Sequence, residues 1–240
     1  MVFNPLKKVE NSRNTLQIPQ KVYQLIMDRF HVVTEGIERV EKASGLKYPY
    51  YYVEPNLVIS SSQAEFAQFG IFFARTIPVI SKDKRLNVVI QITAPLIAYS
   101  LLGTAHAILA HEFMHYLEII SRIMKMKVIS DEISSTMFER RYTDTDHLLE
   151  ARAVFKSDRT LIDHITKRFP DGFRDLRLEE KVIKEWINKG LPTTSIPVDE
   201  NMIKIPIELM AELEVDKVVK EKIIEFESKK PRNKKFMDYV

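Results

Sequence analysis

The sequence predicts an α+β fold: a small antiparallel or mixed sheet packed on one deeply apolar helix, followed by a helical C-terminal region. Three observations lead there. Short runs rich in β-branched and aromatic residues cluster between residues 50 and 92. Apolar residues recur at helical spacing on either side of that cluster. From Arg85 to Glu112 the chain carries no intervening Asp, Glu, Lys or Arg, so whatever forms there is buried.

Residues 19–44 place Val22, Leu25, Ile26, Phe30, Val33, Ile37 and Val40 on one stripe, and Gly45 follows as a stop. This predicts a scaffold helix. Strand-like runs come next at 50–53, 57–60, 70–75 and 78–80, then a polar turn at 81–84. The uncharged stretch after Arg85 is long enough to span a bilayer. It also holds Asn87, Gln91, Thr93, Pro95, Ser100 and His106, which favours splitting it. Residues 86–92 (LNVVIQI) read as a strand, and Thr93-Ala94-Pro95 as a helix start with Thr as cap and Pro in the first turn. The strand at 86–92 is either ordinary sheet core or an edge able to receive an extended peptide.

Residues 105–118 (AHAILAHEFMHYLE) contain neither proline nor glycine and form the apolar helix. Beyond it, 130–140 reads as a short helix capped by Ser130, and 142–146 (YTDTD) as a turn and cap cluster. A second apolar-periodic helix starts at His147 and carries Leu148, Leu149, Ala153, Phe155, Leu161, Ile162 and Ile165, closed by Pro170-Asp171-Gly172. Helices at 178–189 and 206–226, joined by a loop over 191–205, complete the chain. The domain reading is a catalytic unit over 1–170 and a helical C-terminal extension over 171–240, whose helices are a possible homo-oligomer contact.

Composition narrows the function. With 45% apolar and 29% charged residues in 240, the chain is an ordinary globular protein. A net charge of +3 gives no field for nucleic acid, and the basic tail at 229–235 reads as a solvated terminus. There is no cysteine, so disulfides and thiolate ligands are excluded. The first thirteen residues lack the apolar core of a signal peptide, and a cytoplasmic location without membrane association is expected.

The chemistry lies in His111-Glu112-Phe113-Met114-His115. Positions i and i+4 of a helix stand one above the other, so two imidazoles can share one Zn²⁺ while Glu112 reaches a water beside it. Two of six histidines fall at this spacing inside one apolar helix, where unpaired polar groups are costly. A catalytic zinc takes a third protein ligand. Glu150 is the first choice, since its neighbours Leu148, Leu149 and Ala153 mark a core-packed helix whose carboxylate needs a cation. His147, one turn earlier, is the alternative. Glu118 shares the histidine face, but a third ligand from one straight helix strains a tetrahedron. His31, His106 and His164 read as structural or exposed.

H-E-x-x-H followed by Glu150-Ala151-Arg152-Ala153 on a later helix resembles the gluzincin branch of the zincin metallopeptidases, with a pattern similar to the ImmA/IrrE-type and CAAX-prenyl-protease-like peptidases. The resemblance covers the middle of the chain. It implies a zincin-like fold, one Zn²⁺ per chain on His111, His115 and Glu150, and hydrolysis of a peptide or protein substrate. Many gluzincins carry an acidic residue four after the ligand glutamate to orient a zinc histidine; here Val154 stands there, so another group must do this. Met114 also replaces the small residue found before the second histidine in many relatives. In this reading Glu112 is the general base, and Tyr142 or His147 is the second donor to the oxyanion. The rival readings are a zincin-fold binding or regulatory module and a membrane-associated peptidase.

Overall fold

The structure, a computed structural model, describes residues 4–61, 69–81, 85–129, 149–170, 172–197 and 214–229. It is α+β, with two three-stranded sheets set among helices. A charged helix, α1 (Lys7–Asn14), opens the described chain and buries only Val9 and Ser12. The stripe over 19–44 forms two helices, α2 (Gln20–Arg29) and α3 (His31–Ser44), which meet at Phe30. Arg29, just before the break, donates from Nε to the carbonyl oxygen of Ile97 at 2.9 Å and from its terminal nitrogen to that of Ser100. Those carbonyls end α4 (Ala94–Tyr99), where a cation is favourable. Gly45 closes α3 at φ 72°, as its position predicts.

The first sheet holds β1 (Tyr51–Glu54), β5 (Leu86–Thr93) and β4 (Ala74–Ile80) in the order β1-β5-β4. β5 runs parallel to β1 and antiparallel to β4, so both of its flanks are bonded. The expectation that 86–92 offers an edge to a peptide is therefore corrected: β5 is the central strand and β4 is the edge. Thr93 donates its N–H to the Phe73 carbonyl, and Ser81 donates to that of Arg85. In the β4–β5 register this makes odd-numbered β4 residues the bonded ones, and the backbone groups of Thr76 and Pro78 point away from β5. Pro78 thus removes no ladder bond, which is how an edge strand tolerates proline.

The second sheet is ordered β3-β2-β6, from β3 (Phe69–Phe72), β2 (Leu57–Ser61) and β6 (Thr193–Pro197). β6 lies within the expected loop over 191–205 and inside the expected helical extension; it pairs parallel to β2 across more than a hundred residues of sequence. The extension also returns α8 (Leu176–Val182) to the core, where Leu178 and Val182 are buried and the helix meets Ala94–Tyr99. A π-turn, Ile183–Ile187, continues α8 and buries Trp186, whose Nε1 donates to the Pro192 carbonyl at 2.8 Å.

Thr93 starts α4 with Pro in the first turn, as expected, but its hydroxyl donates to the Phe73 carbonyl at 2.8 Å and does not cap the helix. The apolar helix is α5 (Leu102–Ile129), longer than predicted. Every residue from Thr104 to His115 is buried, because α5 runs between two cores. One core gathers Leu86, Val88, Phe113 and Leu117 with Ile223 and Phe226 of the last described helix, α9 (Lys217–Ser228). The other joins Ile90, Ile92, Ile108 and Leu109 to the N-terminal helices. The helix expected from His147 is instead a four-residue turn of helix, α6 (Ala151–Val154), and then α7 (Arg159–Arg168), capped by Asp158. Among the described residues no helix is long and apolar enough to cross a membrane. The expected helix at 130–140, the cluster at 142–146 and the first part of the helix at 206–226 lie outside the described residues.

Candidate metal centre

Two turns into the buried run of α5, His111 and His115 bring their Nε2 atoms to 2.8 Å from each other, with rings nearly perpendicular at 81°. The two Nε2 atoms therefore face one another, with the donor and acceptor roles set by the ring tautomers. His111, Glu112 and His115 each offer a ligand atom within 4.8 Å of the others, and exposures of 3%, 7% and 3% leave all three buried. This group could hold a metal ion.

The donor set fits a divalent transition metal. Imidazole nitrogens and a carboxylate, with no thiolate, suit zinc and its neighbours in the series. Two nitrogens tetrahedrally bound to zinc sit about 3.3 Å apart, so the rings need to open by only about half an ångström to admit the ion.

Each member is steadied from a different element. Thr76, on edge strand β4, places its Oγ1 at 2.8 Å from Glu112 Oε2 and 2.9 Å from the Glu112 carbonyl oxygen. The Phe169 ring, at the end of α7, stacks on His111 with centroids 3.7 Å apart and planes 9° from parallel. Phe173 and Phe73 extend this wall at successive centroid distances of 5.4 and 5.3 Å. Glu118, 1% exposed, sets Oε2 at 3.6 Å from His115 Nδ1, the ring nitrogen facing away from His111. Its Oε1 accepts from the Leu149 N–H at 3.2 Å. Tyr48 donates its hydroxyl to the Leu109 carbonyl at 2.9 Å and stacks on Phe113. Burial, and then the nearby Glu112 charge, push the Tyr48 phenol well above its ordinary range.

The sequence-predicted residues divide as follows. His111, Glu112 and His115 are brought together. Glu150 is half-buried and sits in extended backbone at φ −94° and ψ 136°, ahead of α6 and not within a helix. Its carboxylate is not one of the three mutually close ligand groups, although the Leu149–Glu118 bond ties its neighbour to α5. Tyr142 and His147 lie outside the described residues. His31 is exposed, His106 buried and His164 half-buried.

Sequence reasoning missed Thr76, Phe169 and Tyr48, which reach the site only through tertiary packing. Glu118 was weighed only as a strained third ligand. Its spacing three residues after His115 was the available signal for a partner to that ring. No protein-family model, curated protein or solved structure matches this chain.

Proposed function

We propose that this chain is a zincin-like, zinc-dependent metallopeptidase. The observation that carries the reading is the convergence of His111 Nε2 and His115 Nε2 in a buried site, with the Glu112 carboxylate beside them. His111 and His115 would hold Zn²⁺, with Glu150 as the proposed third ligand. When bound, the ion supplies Lewis acidity toward a peptide carbonyl and brings the pKa of a water toward neutrality.

The chain's own residues do the rest. Glu112 takes the proton of the attacking water and returns it to the leaving nitrogen. Thr76 fixes the carboxylate for that transfer through its hydroxyl. The same residue turns its backbone N–H and C=O outward from β5, so an extended peptide pairing with the β4 edge lies above Glu112. Tyr142 and His147 remain the proposed donors to the oxyanion. The aromatic wall of Phe169, Phe173 and Phe73 borders the site on the His111 side and keeps that ring from bulk water. The partner is a peptide or protein, in a cytoplasmic setting.

Glu112→Gln tests the proposal. A peptide-library digest should lose about 10²–10⁴-fold in turnover, while metal analysis still finds one zinc per chain. Wild-type protein that holds no zinc, or a variant that cleaves as fast as wild type, overturns it. Zinc without cleavage in the wild type favours a binding or regulatory module.

A further inference from the structure

We infer that Glu118 is a positioning residue of this centre: it sets the tautomer of His115 through Nδ1 while anchoring, through the Leu149 N–H, the segment that carries Glu150. The inference deepens the zinc reading and rests on it. Glu118 stands one helical turn after His115, and the two oxygens of its carboxylate face different groups. Oε2 lies 3.6 Å from His115 Nδ1 and Oε1 accepts from Leu149 at 3.2 Å. The ring's other nitrogen, Nε2, is the one turned to His111. Glu118 therefore works from behind the ring and not as a ligand in front of it.

The chemistry requires a carboxylate here. A metal-binding imidazole must present a bare nitrogen to the ion, so its proton has to reside on the other one. The Glu118 charge, 3.6 Å from Nδ1 and so beyond hydrogen-bond length, favours the proton on that nitrogen and leaves Nε2 with its lone pair. The Leu149 N–H also needs an acceptor, because it is buried with Leu149 at 1% exposure. A carboxylate serves both groups, accepting from Leu149 and turning its charge to Nδ1, whereas an amide has one acceptor and no charge. In Glu118→Gln, an amide oxygen on Leu149 turns the NH₂ toward Nδ1 and drives the proton to Nε2. The opposite orientation sets two donors against each other at Leu149. This also answers the position of Val154: the carboxylate behind a zinc histidine comes from α5 itself.

The test is Glu118→Gln in the full chain, read two ways. In metal-free protein, ¹⁵N imidazole shifts should show His115 protonated at Nδ1 in wild type and at Nε2, or at both, in the variant. In chelator competition with Zn²⁺ alone, affinity should fall about 10–100-fold. Glu118→Ala, which leaves Leu149 without its acceptor, should lose thermal stability as well. Unchanged tautomer and affinity in Glu118→Gln overturn this role while the zinc reading stands. Wild-type protein that binds no Zn²⁺ overturns both, and an altered visible spectrum of the Co²⁺-loaded variant, reporting a lost ligand, makes Glu118 a ligand and overturns the positioning role.

Discussion

The Thr76 hydroxyl lies 2.8 Å from Glu112 Oε2 and 2.9 Å from the carbonyl oxygen of the same residue. One hydroxyl proton serves both acceptors, so the edge strand grips the side chain and backbone of the proposed base together. Thr76→Val keeps the shape and removes the donor. Hydrolysis should fall about 10–150-fold, equivalent to the 1.5–3 kcal/mol of a hydrogen bond to a charged group. Zinc content should not change, and Thr76→Ser should retain activity within a few-fold. Steady-state kinetics paired with metal analysis checks this; equal losses in Val and Ser variants would assign the effect to packing.

Phe169 covers one face of His111 at 3.7 Å. Aromatic stacking contributes about 0.5–1.5 kcal/mol beyond burial, and Phe169 is only half-buried. Phe169→Ala should therefore cost about 2 kcal/mol in urea unfolding, less than a fully buried Phe→Ala. It should also weaken zinc binding several-fold, since the His111 ring loses the surface that fixes its plane. Phe169→Leu restores bulk without a flat face, and should recover stability more than affinity.

What was legible in the sequence was local. The i, i+4 histidines, the alternation at 86–92, the Thr93–Pro95 helix start and Gly45 after α3 each depend on a few neighbouring residues, and each element stands where its residues place it. What was not legible depended on distant partners. Nothing near Phe30 announces a helix break that lets Arg29 reach the carbonyl oxygens of Ile97 and Ser100. Thr193–Pro197 reads as loop by composition and becomes a strand because β2 offers it an edge. The uncharged sequence of β5 showed that it was buried, but not that β1 and β4 would flank it and leave β4 as the edge.

Gly36 marks where α3 presses on the metal-bearing helix. A Cβ there would lie 2.6 Å from Leu109 Cδ1 and 2.8 Å from His106 Cδ2, both on buried side chains of α5. Gly36→Ala gains about 1 kcal/mol in helix propensity and meets an overpacking cost of about 1–3 kcal/mol. The expected outcome is a net loss of stability of about 1 kcal/mol. Gly103→Ala is the control: its Cβ meets only the half-buried His164 ring, from 2.9 Å outward, which has room to turn. Thermal unfolding of the two variants should rank Gly36→Ala lower.

The pH dependence of stability should come from two imidazoles outside the metal centre. His106 is held below its ordinary range by burial and then by the Arg39 charge, with Glu35 opposing. His164 is lowered by burial, then by Arg168 and Arg39, with Asp158 and Asp163 opposing. Both rings release protons more readily when folded than the value of about 6.5 they regain on unfolding. Just below that pH the unfolded chain binds more protons, so stability is full above about 6.5 and is lost as pH falls through and below it. Asp158, whose folded pKa is depressed chiefly by its hydrogen bond with Arg39, acts lower down: its contribution is present above about 4 and is lost on further acidification. The fall in stability from pH 8 downward therefore belongs to these histidines, while Glu179, raised by burial and then by Asp175, acts with the opposite sign at the acid end. Urea midpoints of metal-free protein should fall between pH 8 and 5, and His106→Gln should flatten the fall. Subtracting the two curves removes what His111 and His115 contribute, since both proteins carry them. Parallel curves would mean that His106 takes up its proton at the same pH folded and unfolded.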